Sequence, residues 1–218
     1  MKKEFWHERW ALDEIGFHKK DLNPFLLEHW PSLNASENDS IFVPLCGKSL
    51  DLLWLSQQCR KVVGIELSQK AVEDFFASNG MTPEIIQSEH FSLYQAENIH
   101  IFCGDIFQLE QVDIADCTLI YDRASLVAFP PEMRKLYVKK LDELFSFPHK
   151  RLLITFDYDQ QLMNGPPFAV SPSEVSDLLD SHYRIKRLES ASIIEQNQRF
   201  KERGLSSLFE HVFVIEKR

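Results

Sequence analysis

Charged side chains follow several apolar runs of this sequence, at the points where predicted strands end. Glu66 closes "KVVGIE", Asp105 follows "IHIFCG", and Arg123 follows "CTLIYD". A carboxylate about twenty residues past a first strand-to-helix turn can accept hydrogen bonds from ribose hydroxyls. An aspartate at a strand end can accept one from an adenine amino group, and an arginine fork can hold a carboxylate or steady a thiolate. The pattern predicts a site for a nucleoside cofactor.

Each of these residues also has a purely structural explanation. Glu66 can cap the helix that follows its strand, and Asp105 can be an ordinary strand-end aspartate. Arg123 can form a salt bridge with Asp122 or with another acid. The apolar run before Glu66 favours cofactor binding there, whereas the two explanations of Asp105 carry equal weight. Asp122 is a candidate proton acceptor, although the adjacent Arg123 should keep it ionised and occupied.

A single glycine lies in the turn that should approach the cofactor. The stretch "SIFVPLCGKSLDLLWL", residues 40–55, predicts a strand, a turn at Gly47 and a helix. A pyrophosphate needs close approach of the backbone and a free helix N-terminus, which usually requires more glycines. S-adenosylmethionine has no phosphate and tolerates a turn with fewer of them, so this cofactor is favoured over a dinucleotide.

Two tryptophans lie near the start of the chain, in "FWHERW". Trp6 and Trp10 are four residues apart, on one face of a predicted helix, with Phe17 following. Core packing is the usual explanation of such a pair. This helix precedes the first strand, however, and can lie across the strand ends as a lid, where a tryptophan face attracts a sulfonium.

Strands and helices alternate through the rest of the chain, which predicts an α/β fold with a doubly wound, mostly parallel sheet. Five strands should be parallel. The last two, in "RIKRLESASII" and "LFEHVFVIEK", leave little room for a helix and should pair as an antiparallel C-terminal hairpin. This seven-stranded, Rossmann-like arrangement is that of class I S-adenosylmethionine-dependent methyltransferases. We expect one domain, 1–218, with an N-terminal helical lid segment at 1–39 and a sheet core at 40–218.

Composition excludes several classes of function. The net charge of −9 argues against nucleic-acid and anionic-membrane partners, which need clustered Lys and Arg. The four cysteines lack the spacing of a metal site, so we expect reduced thiols and no metal. Neither a signal peptide nor a membrane-spanning run is recognisable. We therefore expect a soluble, cytoplasmic protein. We also expect a monomer, because its aromatic residues can be used by the core and the pocket.

Several motifs together resemble the thiopurine S-methyltransferase family in its bacterial form. They are "WHERW", "FVPLCGK", "VVGIELS", "DIF", "YDRASLVAF", "GPPF" and the closing "LFEHVFVIEK", and they cover almost the whole chain in order. "GPPF", residues 165–168, is by itself either a pocket wall or a structural turn. The resemblance identifies the turn at Gly47 as the cofactor loop of this family.

The resemblance also implies roles for individual residues. Those expected at the cofactor are Trp10, Leu45, Glu66 and Arg123, with Asp105 and Ile106 beside the adenine. Trp6 joins them because it shares a helix face with Trp10, not because of the resemblance. Phe17 is expected at the substrate. So is Arg199, for which Arg203 is the competing candidate because the loop around them varies. Asp105 falls where some members have serine, so the apolar contact from Ile106 is the firmer expectation.

The implied reaction is methyl transfer from S-adenosylmethionine to the sulfur of a small aromatic or heterocyclic thiol. Such thiols are acidic, so Arg123 can stabilise the thiolate as the catalytic residue without a strong base. Methylation of selenium or tellurium species would look the same from sequence. Two further candidate functions are those of a nicotinamide-dependent oxidoreductase and of a non-catalytic cofactor-binding sensor. The single glycine and terminal hairpin oppose the former, and Glu66 with Arg123 opposes the latter.

Overall fold

Nine strands and seven α-helices form in the residues that the computed structural model describes, 3–179 and 182–217. Contacts group the chain into two units, Met1–Tyr121 and Asp122–Arg218. No helix in the described ranges is long and apolar enough to span a membrane.

The first unit begins with two short helices in the predicted N-terminal segment. They are α1, Lys3–Ala11, and α2, Pro24–His29. The side chain of Asn23 caps α2 by accepting hydrogen bonds from two backbone N–H groups, and Pro24 has no N–H group that would need a partner there. Part of the predicted segment, Met1 and Lys2, lies outside the described residues.

Six strands follow. In sheet order β3-β4-β5-β2-β1-β6, the strands are Glu84–Gln87, Ser92–Ala96, Ile99–Cys103, Lys61–Glu66, Ser40–Val43 and Cys117–Arg123. All lie within this unit except for the last two residues of β6, Asp122 and Arg123, which belong to the second unit. The pairs β1–β2, β2–β5 and β1–β6 are parallel. After β1 the chain builds outward through β2 on one side and later returns to β6 on the other. In such sheets, ligands bind outside the carboxyl ends of the strands beside this reversal.

Local sequence explains the central elements. All four residues of β1 are buried, as expected for a strand covered on both faces. The helix α3, Asp51–Gln58, follows β1, and α4, Gln69–Ser78, follows β2. The Ser68 side chain accepts a hydrogen bond from the Ala71 N–H and caps α4.

The prediction of seven strands is wrong in number, because β3 and β4 were not recognised. Both belong to an antiparallel pair at the edge of the sheet, and β4 also pairs with β5. Every residue of β3 is exposed, so "EIIQ" carries neither the alternation nor the bounded apolar run that marks a buried strand.

The second unit contains a three-stranded antiparallel arrangement. The order is β7-β9-β8, with β7 at Lys150–Asp157, β8 at Tyr183–Ser192 and β9 at Phe209–Lys217. Its helices are α5, Pro131–Leu144, α6, Pro172–Leu178, and α7, Gln198–Glu202.

The predicted C-terminal hairpin is confirmed, since β8 and β9 pair antiparallel. The expectation that little fits between these strands is wrong, because a short 3-10 turn and α7 occupy the connection. The stretch "SPSEVSDLLDSH" predicts a helix over residues 171–182. The helix α6 ends at Leu178, and residues 180 and 181 lie outside the described ranges.

Candidate functional site

The turn after β1 has an unusual backbone. Leu45 and Gly47 both adopt a positive φ, +47° and +53°. A leucine in this region is strained by roughly 1–2 kcal/mol, because its Cβ crowds the backbone. The N–H group of Cys46, between them, donates to the Ile65 carbonyl of β2 at 3.0 Å. Strain of this kind persists only where the surroundings impose it, which marks the turn as a candidate ligand loop.

Glu66 holds this turn against the end of β2. One carboxylate oxygen accepts a hydrogen bond from the Gly47 N–H at 2.9 Å, and the other accepts one from the Ser68 N–H at 2.9 Å. Glu66 thus braces the start of α4, in agreement with its structural explanation, and fixes the turn as well. Each carboxylate oxygen has two acceptor sites, so capacity remains for hydroxyl donors.

Burial dominates the electrostatics around Glu66, which is 7% exposed. Burial raises the pKa of this carboxyl, while hydrogen bonds from the Ser68, Gly47 and Leu67 N–H groups oppose the rise. Burial and the charge of Glu66 together raise the pKa of the neighbouring Cys103 thiol to about 11. They raise the pKa of the Cys46 thiol as well. Both thiols therefore stay protonated at neutral pH and are poor nucleophiles.

Trp10 of α1 packs directly on the turn. It is 3% exposed, and a Cβ added at Gly47 would lie 3.3 Å from its ring. Glycine is favoured here, because it adopts the positive φ without strain and leaves room for the close approach of the indole. Phe17 meets Trp10 and Trp6 edge to face, with centroids 5.5 and 5.6 Å apart. The structure brings together these three aromatic residues, which the sequence placed near the cofactor or substrate.

Two ion pairs connect the same region. The ammonium of Lys48 lies 5.7 Å from the centroid of the Trp10 ring and 3.2 Å from a carboxylate oxygen of Asp74 on α4. At the other end of α1, Lys3 lies 2.7 Å from Asp105. The second oxygen of Asp105 accepts a hydrogen bond from Phe107 N–H at 3.0 Å. Each oxygen of Asp105 thus has one partner and, like the oxygens of Glu66, keeps acceptor capacity for a further donor such as an adenine amino group.

Ile106, the other residue expected near the adenine, follows Asp105 and begins a short 3-10 turn. It is 5% exposed and lies in the core of the first unit, which fits an apolar contact with only a small remaining surface.

In the second unit, Asp122 and Arg123 do not pair with each other. Asp122 is fully buried and accepts a hydrogen bond from the Tyr137 hydroxyl at 2.8 Å, with Arg151 at 3.7 Å. Burial raises the pKa of Asp122, and the charge of Arg151 opposes the rise. The expectation that Arg123 keeps Asp122 occupied is therefore wrong. A carboxylate enclosed in this way is also a poor proton acceptor for a bound substrate.

Arg123, the last residue of β6, is half-buried. Among the residues that the structure describes, none forms a hydrogen bond or ion pair with its guanidinium. The next residue, Ala124, has a φ of +69°, which is strained for alanine. A half-buried cation without a protein partner is a candidate for binding an anionic ligand group.

The "GPPF" loop and the two C-terminal arginines also lie in this unit. The Phe168 N–H donates to the Val127 carbonyl at 2.7 Å, so the loop packs on the segment that follows Arg123. Arg199 is exposed on α7, whereas Arg203 donates to the Met163 sulfur at 3.3 Å. Arg199 and Arg203 thus both stay candidates for the residue that contacts the substrate.

The sequence is similar to those of known proteins along its whole length. A family model described as thiopurine S-methyltransferase (TPMT) matches residues 1–218. The thiopurine S-methyltransferase of Nitrosospira multiformis is 46% identical over 218 residues, covering 100% of this chain and 99% of that protein. The one from Azotobacter vinelandii is 44% identical and covers 100% of both chains. The chain belongs to the thiopurine S-methyltransferase family.

Solved structures agree with this family in fold. A methyltransferase from Anabaena variabilis, described as S-adenosylmethionine-dependent, superposes with a TM-score of 0.69 at 14% identity, covering 99% of this chain and 95% of that one. A Burkholderia thailandensis N1-methyltransferase, solved with S-adenosylhomocysteine, gives 0.64 at 12% identity, covering 99% and 86%. The predicted class I methyltransferase fold is thereby confirmed.

Sequence reasoning missed the polar partners that surround the turn at Gly47. Lys48 lies within "FVPLCGK", yet its type and position predicted no role, and nothing singled out Asp74. The adjacency of Lys48 to Gly47 was the available signal. Its partners on α1 and α4 are remote in the chain, so no spacing rule links them.

We expect Glu66→Gln to weaken binding of S-adenosylhomocysteine by about 1–3 kcal/mol, because the amide replaces one anionic acceptor with a donor. Calorimetry measures the effect, and Glu73→Gln, on α4, is the matched control for charge. Binding to the unsubstituted protein should also weaken as the pH falls through the raised pKa of Glu66, since protonation removes an acceptor. Glu66→Gln should lose this dependence. Equal affinities of the two variants would remove Glu66 from the site.

Proposed function

We propose that this protein transfers a methyl group from S-adenosylmethionine to the sulfur of small aromatic or heterocyclic thiols, thiopurines among them. The observation that carries the proposal is 40–46% identity along the whole chain to proteins named thiopurine S-methyltransferase. The hypothesis of a non-catalytic sensor has no comparable support, and the same holds for selenium or tellurium as the methyl acceptor.

The residues of the first unit fit the cofactor. Glu66 has acceptor capacity left for the ribose hydroxyls, and the strained turn with Leu45 presents backbone that a ligand can approach. Trp10 and Trp6 would line the methionine end, with Trp10 offering its ring to the sulfonium. Ile106 and Asp105 would lie beside the adenine. When bound, S-adenosylmethionine supplies a sulfonium methyl group for in-line displacement.

Arg123 is proposed as the catalytic residue and as a further cofactor contact. Arg123 is half-buried, and none of the described residues pairs with its guanidinium. Both observations support a role in holding either a carboxylate or the substrate thiolate. No general base is assigned, because thiols on electron-poor rings ionise readily and Asp122 is enclosed by Tyr137 and Arg151.

Phe17 is proposed to contact the ring of the substrate. At 37% exposure, in edge-to-face contact with Trp6 and Trp10, it offers an aromatic surface beside the cofactor turn. Arg199 is proposed as a second substrate residue because it is exposed and lacks the sulfur contact that occupies Arg203.

The cellular setting is also a proposal. The net charge of −9 supports a protein without nucleic-acid or anionic-membrane partners. Four free cysteines support a reducing, cytoplasmic compartment. We propose a monomer in which methyltransferase activity resides in one domain, with the N-terminal segment acting as its lid.

Thermal unfolding with added ligands tests the cofactor, since a ligand that binds only the native state must raise the melting temperature. We expect S-adenosylmethionine and S-adenosylhomocysteine to raise it and nicotinamide nucleotides to leave it unchanged. Mass spectrometry should then detect S-methylation of a thiopurine, with the corresponding oxopurine as the control substrate. Stabilisation by a nicotinamide nucleotide alone, or methylation of both purines alike, would contradict the proposal.

A further inference from the structure

Lys48 joins three elements of the first unit at the cofactor turn. Its backbone follows Gly47, whose N–H is fixed by Glu66. Its ammonium lies 5.7 Å from the centroid of the Trp10 ring on α1 and 3.2 Å from Asp74 on α4. The Lys48 side chain is only 19% exposed, so these contacts are partly removed from water.

We propose that Lys48 is a positioning residue. It holds the Trp10 indole on the cofactor turn, and Asp74 fixes the ammonium group of Lys48 in place. The proposal rests on the proposed cofactor site and adds a residue that acts through Trp10. A cation over an aromatic face is attracted by the ring quadrupole, and partial desolvation strengthens the attraction. The ion pair with Asp74 limits the positions that the flexible lysine stem can take, and so directs the ammonium to the ring.

Asp74 can perform this function at neutral pH. Burial opposes its ionisation, but hydrogen bonds from Lys70 and Lys48 outweigh burial and lower the pKa of the carboxyl. Lys70 lies 2.8 Å from the same carboxylate, is 47% exposed, and makes no cation–π contact in the described structure. The chain thus contains a matched pair of lysines that share one acid, of which Lys48 alone lies over the Trp10 ring in the described residues.

Loss of the Lys48 contact should act on binding by depopulating the arrangement in which Trp10 covers the turn. If only that arrangement binds the cofactor fully, the apparent dissociation constant rises as its population falls. We expect Lys48→Met to weaken S-adenosylhomocysteine binding by about threefold to tenfold, the range of a partly desolvated cation–π contact. Lys70→Met should bind as the unsubstituted protein does, and Lys48→Arg should restore affinity.

The experiment combines calorimetry with fluorine NMR of protein labelled with 5-fluorotryptophan. The Trp10 resonance is identified by its loss in Trp10→Leu. Without any ligand, it should shift or broaden in Lys48→Met and keep its position in Lys70→Met. In the Trp10→Leu background, Lys48→Met should cause no further loss of affinity, because Lys48 affects binding only by positioning Trp10.

The outcomes separate this inference from the proposed function. If the unsubstituted protein fails to bind S-adenosylhomocysteine, the proposed function is wrong, while the ligand-free resonances still report on Lys48 and Trp10. Equal affinities of Lys48→Met and Lys70→Met would overturn the inference, and so would an unmoved Trp10 resonance. A full Lys48→Met effect that persists in Trp10→Leu would also overturn it, since Lys48 would then act on the cofactor directly.

Discussion

Replacing Arg123 by lysine should lower the rate of methyl transfer to an aromatic thiol by roughly tenfold to a thousandfold, the range for losing one preorganised electrostatic donor. The melting temperature should stay near that of the unsubstituted protein. Lysine keeps the positive charge. It lacks the planar guanidinium, whose several N–H groups can donate to a carboxylate or a thiolate at the same time. Stability should survive because Asp122 is held by Tyr137 and Arg151, and no described residue relies on the Arg123 guanidinium.

The pH dependence of this loss distinguishes the two roles proposed for Arg123. If the guanidinium keeps the thiol ionised, the deficit should shrink at high pH, where the substrate ionises unaided. If it holds the carboxylate of the cofactor, the deficit should be uniform with pH. Arg184→Lys, at an exposed ion pair with Glu216, is the matched control and should leave the rate unchanged. An Arg123→Lys enzyme of full activity at every pH would make Arg123 a structural residue.

The sequence located Glu66 and Arg123 well because strand ends are marked by local pattern. Each follows an apolar run, and the end of such a run is the end of the strand. The partner of Asp122 was misjudged for a physical reason. Successive side chains of a strand point to opposite faces, so neighbours in sequence are poorly placed to pair. Asp122 thus enters the core, where Tyr137 and Arg151 meet it.

Contacts of the N-terminal segment were less predictable. The spacing of Trp6 and Trp10 indicates a shared helix face but not what that face meets. The contact of Trp10 with Gly47 depends on the path of the chain between them, and so does the pairing of Lys3 with Asp105. The strand β3 was missed for a different reason: it is exposed throughout and held by pairing with β4, which leaves no hydrophobic signature.

Deleting residues 1–18 should leave a folded protein that has lost methyl transfer by about a hundredfold or more, the cost expected when reacting groups are no longer held in place. The deletion removes Trp6, Trp10 and Phe17 together, and Phe17 is the edge-to-face partner of both tryptophans. What remains is the turn at Gly47 and the surface around Lys48, exposed to water that the lid would exclude. The strands of both units lie outside the deleted segment. Circular dichroism measures whether the shortened chain is folded, and a methyl-transfer assay measures its loss of activity.

The 3% exposure of Trp10 makes the opposite result physically reasonable, so point variants must accompany the deletion. A core tryptophan truncated to leucine should lower the melting temperature substantially, because a large cavity remains. A lid tryptophan should instead lower activity and cofactor affinity at a nearly constant melting temperature. We expect Trp10→Leu to behave in the second way, and Leu12→Ala, at a position 61% exposed, to be silent as the control. Loss of cooperative unfolding in the deletion, together with a large fall in the melting temperature of Trp10→Leu, would instead make Trp10 a core residue. A shortened chain that folds and still methylates at the full rate would leave the N-terminal segment without a part in catalysis.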